Sequence, residues 1–270
     1  MKARTAGLAF AIFTFATTSY ADSWVLETGG ARVEASGTAT SDKVGSDSGP
    51  IKKGARDEIV LKGGAAMLRD LAPVLGDALN KDCPRNVNAN LIAIGADGSE
   101  VTRMAFAWAI LTELGIPAMD GSTGVASEVT VKLEPQFPKR HFQKGPVAKP
   151  PAGPEWKRSG FKLSIEGLDA SVKNAKSLGE LKISQAPVAG SPVTRAAPVI
   201  ADLTFAIPTT DAAGLGGWNS GKTGAIEYLA ADGSTILKVK LTGLKKKSQA
   251  VEGGLTKITA SIEAASLGRK

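Results

Sequence analysis

Two periodicities organise the chain. In residues 127–134, Val129, Val131 and Leu133 alternate with Glu128, Thr130, Lys132 and Glu134. In residues 255–263, Ile258, Ala260 and Ile262 alternate with Lys257, Thr259, Ser261 and Glu263. A period of two puts one set on a buried face and the other in water, which predicts half-buried antiparallel strands. A helical period appears further upstream, where Met67, Leu68, Leu71, Val74, Leu75 and Leu79 fall on one face. Pro73 inside that stretch lacks a backbone N–H and predicts a kink, or a division into two short helices, and Gly76 weakens the helix further. Residues 24–35 read as a strand or hairpin, and residues 57–62 as a short strand ended by Gly63 and Gly64.

These patterns belong to an order of parts that occurs twice. In the first half, Leu91-Ile-Ala-Ile leads to Gly95-Ala-Asp97-Gly98-Ser99, then to a strand-like run at 100–106, a long loop and the alternating strand at 127–134. In the second, residues 225–229 lead to Ala230-Ala-Asp232-Gly233-Ser234, a strand-like run at 235–241, a basic loop and the alternating strand at 255–263. Asp-Gly marks a hairpin, because Gly accepts positive φ cheaply and Asp bonds to nearby backbone. Asp97 and Asp232 lie 135 positions apart. The shared order points to an internal duplication.

The halves are separated by a stretch holding Pro135, Pro138, Pro146, Pro150, Pro151 and Pro154 with several lysines, a composition that favours extended, semi-rigid chain. A polar, low-complexity stretch at 36–54 reads as a long loop. At the start, Lys2 and Arg4 precede an apolar run at 6–16, and Ser19 and Ala21 occupy small-residue cleavage positions. This is the layout of a secretory signal. The run is too short to span ~30 Å of hydrocarbon, so cleavage and export to the periplasm or the medium are expected, with no membrane span left in the mature chain. The domain reading is therefore a signal peptide at 1–21, a β-rich domain at 22–135, a Pro/Lys-rich linker at 136–157 and a second β-rich domain at 158–270.

Composition refines this picture. Aromatics reach only 5%, so the core falls to Val, Ile, Leu and Ala, while 31 Gly and 14 Pro suit short strands and turns better than long helices. The expected class is mainly β, formally α+β, as two tandem antiparallel domains. Signal removal takes two positive charges from a formal +7 and leaves +5, a mildly basic balance that does not by itself establish nucleic-acid binding. Lys245, Lys246 and Lys247 form a basic run in what reads as a hairpin-like loop, the candidate contact for an acidic partner. A solvated loop tip is the plainer reading. No aromatic platform accompanies the run, which speaks against single-stranded nucleic acid.

Chemistry finds few footholds. Cys83 and His141 are the single cysteine and the single histidine, so an intrachain disulfide and a His/Cys metal site are both excluded within one chain. A Ser-His-Asp triad would need His141, which lies in the linker. Residues 216–223 have the spacing of a phosphate-binding loop, but neither a buried strand before them nor a helix after them is predicted. Carboxylate pairs such as Asp57 with Glu58 leave glycoside chemistry open in principle, with nothing to fix their separation. Trp24, Trp108, Trp156 and Trp218 are well separated and read as core or interface anchors. No catalytic residue, metal or cofactor is expected.

The parts in their order resemble the tail-tube superfamily, which includes phage tail-tube proteins and the tube-forming Hcp proteins of type VI secretion. Phe161-Lys-Leu-Ser-Ile-Glu-Gly167-Leu168-Asp169 looks like the family's opening strand, and Leu203-Thr-Phe-Ala with Leu215 and Trp218 looks like the middle strand and helix-side segment. In the first half, Ile59-Val-Leu-Lys-Gly63 and the helix at 67–80 take the matching position. Asp97-Gly98-Ser99-Glu100-Val101-Thr102-Arg103 followed by Phe106 looks like the tail-tube hairpin. The resemblance covers residues 57–134 and 158–267. It implies β-barrel-like units, each with a short packed helix, that close six to a ring. Two fused units imply self-association, three chains to a ring. A monomeric exported binding or adhesion module and a carboxylate-based secreted hydrolase remain the alternatives.

Overall fold

The computed structural model describes residues 23–40, 58–80, 85–120, 128–135, 137–141, 145–150, 153–188 and 195–268. The expected signal peptide, most of the polar stretch at 36–54, Asp57 and Cys83 lie outside the described residues. Strands dominate, in two large antiparallel sheets.

In chain order the first half contributes β1 (Ser23–Thr28), β2 (Ala31–Thr40), β3 (Glu58–Gly63), helix α1 (Ala65–Ala78), β4 (Val87–Ile94), β5 (Glu100–Ile116), β6 (Met119–Asp120), β7 (Val129–Glu134) and β8 (Phe137–His141). The second contributes β9 (Trp156–Ile165), the one-turn α2 (Asp169–Val172), β10 (Ser177–Leu178), β11 (Leu181–Ser184), β12 (Val199–Ile200) and β13 (Leu203–Pro208). A 3-10 helix (Thr209–Gly217), β14 (Lys222–Ala230), β15 (Thr235–Glu252), β16 (Leu255–Ser261) and β17 (Ala264–Gly268) complete it.

The first sheet is built around β5. From β5 the hydrogen-bonded path runs through β4, β1, β2, β3 and β7 and returns to β5, so this part of the sheet closes on itself. β8 continues β7 along the same edge of β5. The second sheet runs β6-β10-β13-β16-β15-β14-β9, with β17 continuing β16 along β15.

The two halves repeat one plan in detail. Ile92 pairs with Arg103 across β4 and β5, and Glu227 pairs with Lys238 across β14 and β15. Three irregularities recur at matching places: at the mouth of the hairpin, where the pairing passes over Val101 and Ile236, midway, where it passes over Ala107 and Trp108 or Thr242 and Gly243, and beyond, where it passes over Thr112 or Lys247. The hairpin turns share their hydrogen bonds. Asp97 Oδ1 accepts from the Ser99 amide at 2.9 Å and the Ser99 hydroxyl at 2.6 Å, and Asp232 Oδ1 accepts from Ser234 at 2.8 and 2.7 Å. Gly98 and Gly233 take the left-handed φ of 78° and 85° that the turns require.

Several expectations need correction. The long loop expected after Phe106 and the basic loop expected after Leu241 are largely strand, because β5 and β15 run on to Ile116 and Glu252. Each passed-over residue shifts the inward-outward phase by one, which hides a single strand behind an aperiodic sequence. The helix around Pro73 is not divided. α1 runs unbroken through it, with Pro73 on the exposed side, where water can take the carbonyl that its ring leaves unpartnered. The expected linker at 136–157 is not wholly linker either, since it supplies β8 and the first residues of β9.

The sheets also exchange strands across the expected domain boundary. β6, from the first half, pairs with β10 in the second sheet. β11, from the second half, pairs with the end of β5 and carries β12 with it. α1 touches β2, β3, β5 and β7 on one side and β15 and β17 on the other. One apolar cluster spans both sheets, joining Leu26, Leu68 and Leu91 to Phe205, Tyr228 and Leu237, while Val25, Ile92 and Ile94 form a smaller one.

Candidate functional site

Lys245, Lys246 and Lys247, the basic run expected in a hairpin-like loop as a partner contact, lie inside β15. They follow the point where that strand changes partners from β14 to β16. Two of the ammonium groups serve the fold. Lys246 Nζ donates to the Leu215 carbonyl of the 3-10 helix at 2.7 Å, and Lys247 Nζ pairs with Asp202 at 2.8 Å.

Beyond the lysines, residues 248–252 form the outer end of β15. β16 occupies one edge of this segment, and among the described residues no strand pairs with the other. Val251 is 64% exposed and Leu255, across the hairpin, 36%. The matching stretch of the first half lies under cover. There β11 pairs with β5, setting Ser184 opposite Glu113, Ile183 opposite Leu114, Lys182 opposite Gly115 and Leu181 opposite Ile116. Leu114 and Ile116 are fully buried. Lys182 Nζ reaches Glu113 at 2.8 Å and Lys132 reaches it at 3.4 Å. Partial burial pushes the Glu113 carboxyl upward, but the hydrogen bond from Lys182 and the charge of Lys132 outweigh it, and the group sits below its ordinary value.

A second feature is an open depression of about 990 Å³, floored by Ala89 and Phe106 and rimmed by Gly29, Arg32, Asn90 and Trp108. Trp108 is the one non-glycine residue with positive φ among the described residues, at 58°, and its side chain is 49% exposed. Its amide donates to Asn88 Oδ1 at 2.8 Å. The corresponding residue of β15 is Gly243, at φ 65°. The sequence offers a faint clue here, since Trp108 and Gly243 stand at the same distance from their Asp-Gly turns.

Beside the depression, Arg103 joins Glu27 at 3.2 Å and Glu100 at 2.9 Å. The guanidinium is held above its ordinary value, chiefly by the hydrogen bond to Glu100. The other sequence candidates are scattered. Glu58 opens β3, while its neighbour Asp57 is outside the described residues. His141 ends β8, opposite Arg103 in the ladder. Residues 216–223 run from the 3-10 helix into β14, with a strand where a phosphate-binding loop needs a helix. Trp24 and Trp218 are core residues, and the Trp218 indole donates to the Leu244 carbonyl at 3.2 Å. Trp156 meets Tyr228 edge to face.

Among the described residues, no group of three or more His, Cys, Asp or Glu side chains is arranged to hold a metal ion. No helix among them is long and apolar enough to cross a membrane. What the described residues do show is an unpaired strand edge at 248–252 with the exposed Val251 and Leu255 beside it. A scan against protein-family models and a search of curated proteins return no match for this chain.

Proposed function

We propose that this chain is an exported, non-catalytic structural protein that assembles with copies of itself, in the manner of tail-tube subunits. Each half acts as a barrel-like unit with its own helical segment, α1 after β3 in the first and the 3-10 helix after β13 in the second. One observation carries the reading: a strand of the second half, β11, extends the sheet of the first half, which shares its hairpin plan. The chain thus already contains an edge-to-edge contact between two copies of one plan. Repeated between chains, the same kind of contact builds a closed or stacked assembly, with backbone hydrogen bonds as the adhesive.

Light scattering on the mature chain, starting at Asp22, tests this across a concentration series. A species of three chains, giving six units to the ring, is the expected result. A single-chain mass at every concentration would overturn the proposal.

A further inference from the structure

The internal repeat leaves one place where the two halves differ in a way that bears on partners. On β5, the edge at Glu113, Leu114, Gly115 and Ile116 is capped by β11 from the other half. The shared register maps those four positions onto Ser248, Gln249, Ala250 and Val251 of β15. All four are exposed there. Gln249 and Val251 stand where Leu114 and Ile116 are buried, and among the described residues no strand caps this edge.

We infer that the outer edge of β15 at residues 248–251 is the docking edge for a second copy of this chain, and that the first half of that copy sits on it. The inference rests on the self-assembly reading and specifies its surface. Three observations identify the occupant. The equivalent edge within the chain is filled by a strand of the opposite half. The first half already lends a strand, β6, to the second sheet, so chain from the first half is suited to extending it. The exposed Val251 and Leu255 give such a strand apolar contact beside the ladder. The contact is head-to-tail, because the patch on one copy differs from the patch it meets. Such a contact closes into a ring when its rotation divides a full turn.

The experiment compares the wild-type chain with a Gln249→Lys, Val251→Lys double variant, by light scattering and thermal melting. Lysines on an open edge oppose strand addition, and both positions are exposed, so the melting temperature of the separated chain should not move. Loss of the assembled species in the variant alone is the expected result. Equal assembly of both proteins would overturn the edge assignment while leaving self-assembly standing. A wild type that stays a single chain would overturn both. Hydrogen exchange on the wild type provides a check that needs no variant. Those amides at 248–251 that face away from β16 should exchange at least tenfold more slowly in the assembled protein than after dilution, and equal rates would also overturn the assignment.

Discussion

Trp108 carries the clearest local tension in the molecule. The plan shared by the two halves demands a left-handed residue where the long strand changes partners, and the second half meets the demand with Gly243. The first half places an indole there instead, despite a cost of roughly 1–2 kcal/mol for an L-residue in that conformation. Replacing Trp108 by Gly is expected to raise stability by about 1 kcal/mol, visible as a higher urea midpoint with an unchanged slope. A lower midpoint would mean that the half-buried ring contributes more packing than its backbone costs.

At the scale of elements, the short, simple pieces could be read in the sequence and the composite ones could not. The alternating strands β7 and β16, the two Asp-Gly hairpins and the single apolar face of α1 follow directly from their periods. β5 and β15 did not, because Trp108 and Thr112 in one, and Gly243 and Lys247 in the other, break the phase of a strand that continues through them. The docking edge was hidden for the same reason, since it lies beyond the last of these breaks. β11 was invisible for a different one: its four residues acquire a strand's identity from the edges they meet, β5 on one side and β12 on the other. That junction is clamped by Glu113, whose depressed carboxyl gives it a pH dependence of known sign. Its contribution is present above the ordinary carboxylate value of 4.5 and is lost as the pH falls through the lower folded value. Glu113→Gln should therefore lower the melting temperature at pH 7 and narrow the difference between pH 7 and pH 3. An unchanged difference would show that the clamp contributes nothing to acid sensitivity.

The whole molecule is two units by sequence and one by packing. Strands cross in both directions between the halves, α1 lies against both sheets, and one apolar cluster runs through them. Units that share a core and trade strands should not melt apart. Calorimetry on residues 22–270 is accordingly expected to give a single transition, with calorimetric and van't Hoff enthalpies in agreement. Two resolved transitions would show that the halves are independent bodies.

The strand exchange also sets a timetable. The edge of β5 at Glu113–Ile116 is made well before the β11 residues that cover it, and about 65 residues separate Ile116 from Leu181. At a synthesis rate of roughly 5–20 residues per second this interval lasts roughly 3–13 s. During that time a nascent first half displays a bare, apolar strand edge of the type that seeds aggregation. A chain with this layout does well to stay unfolded until its last third is available.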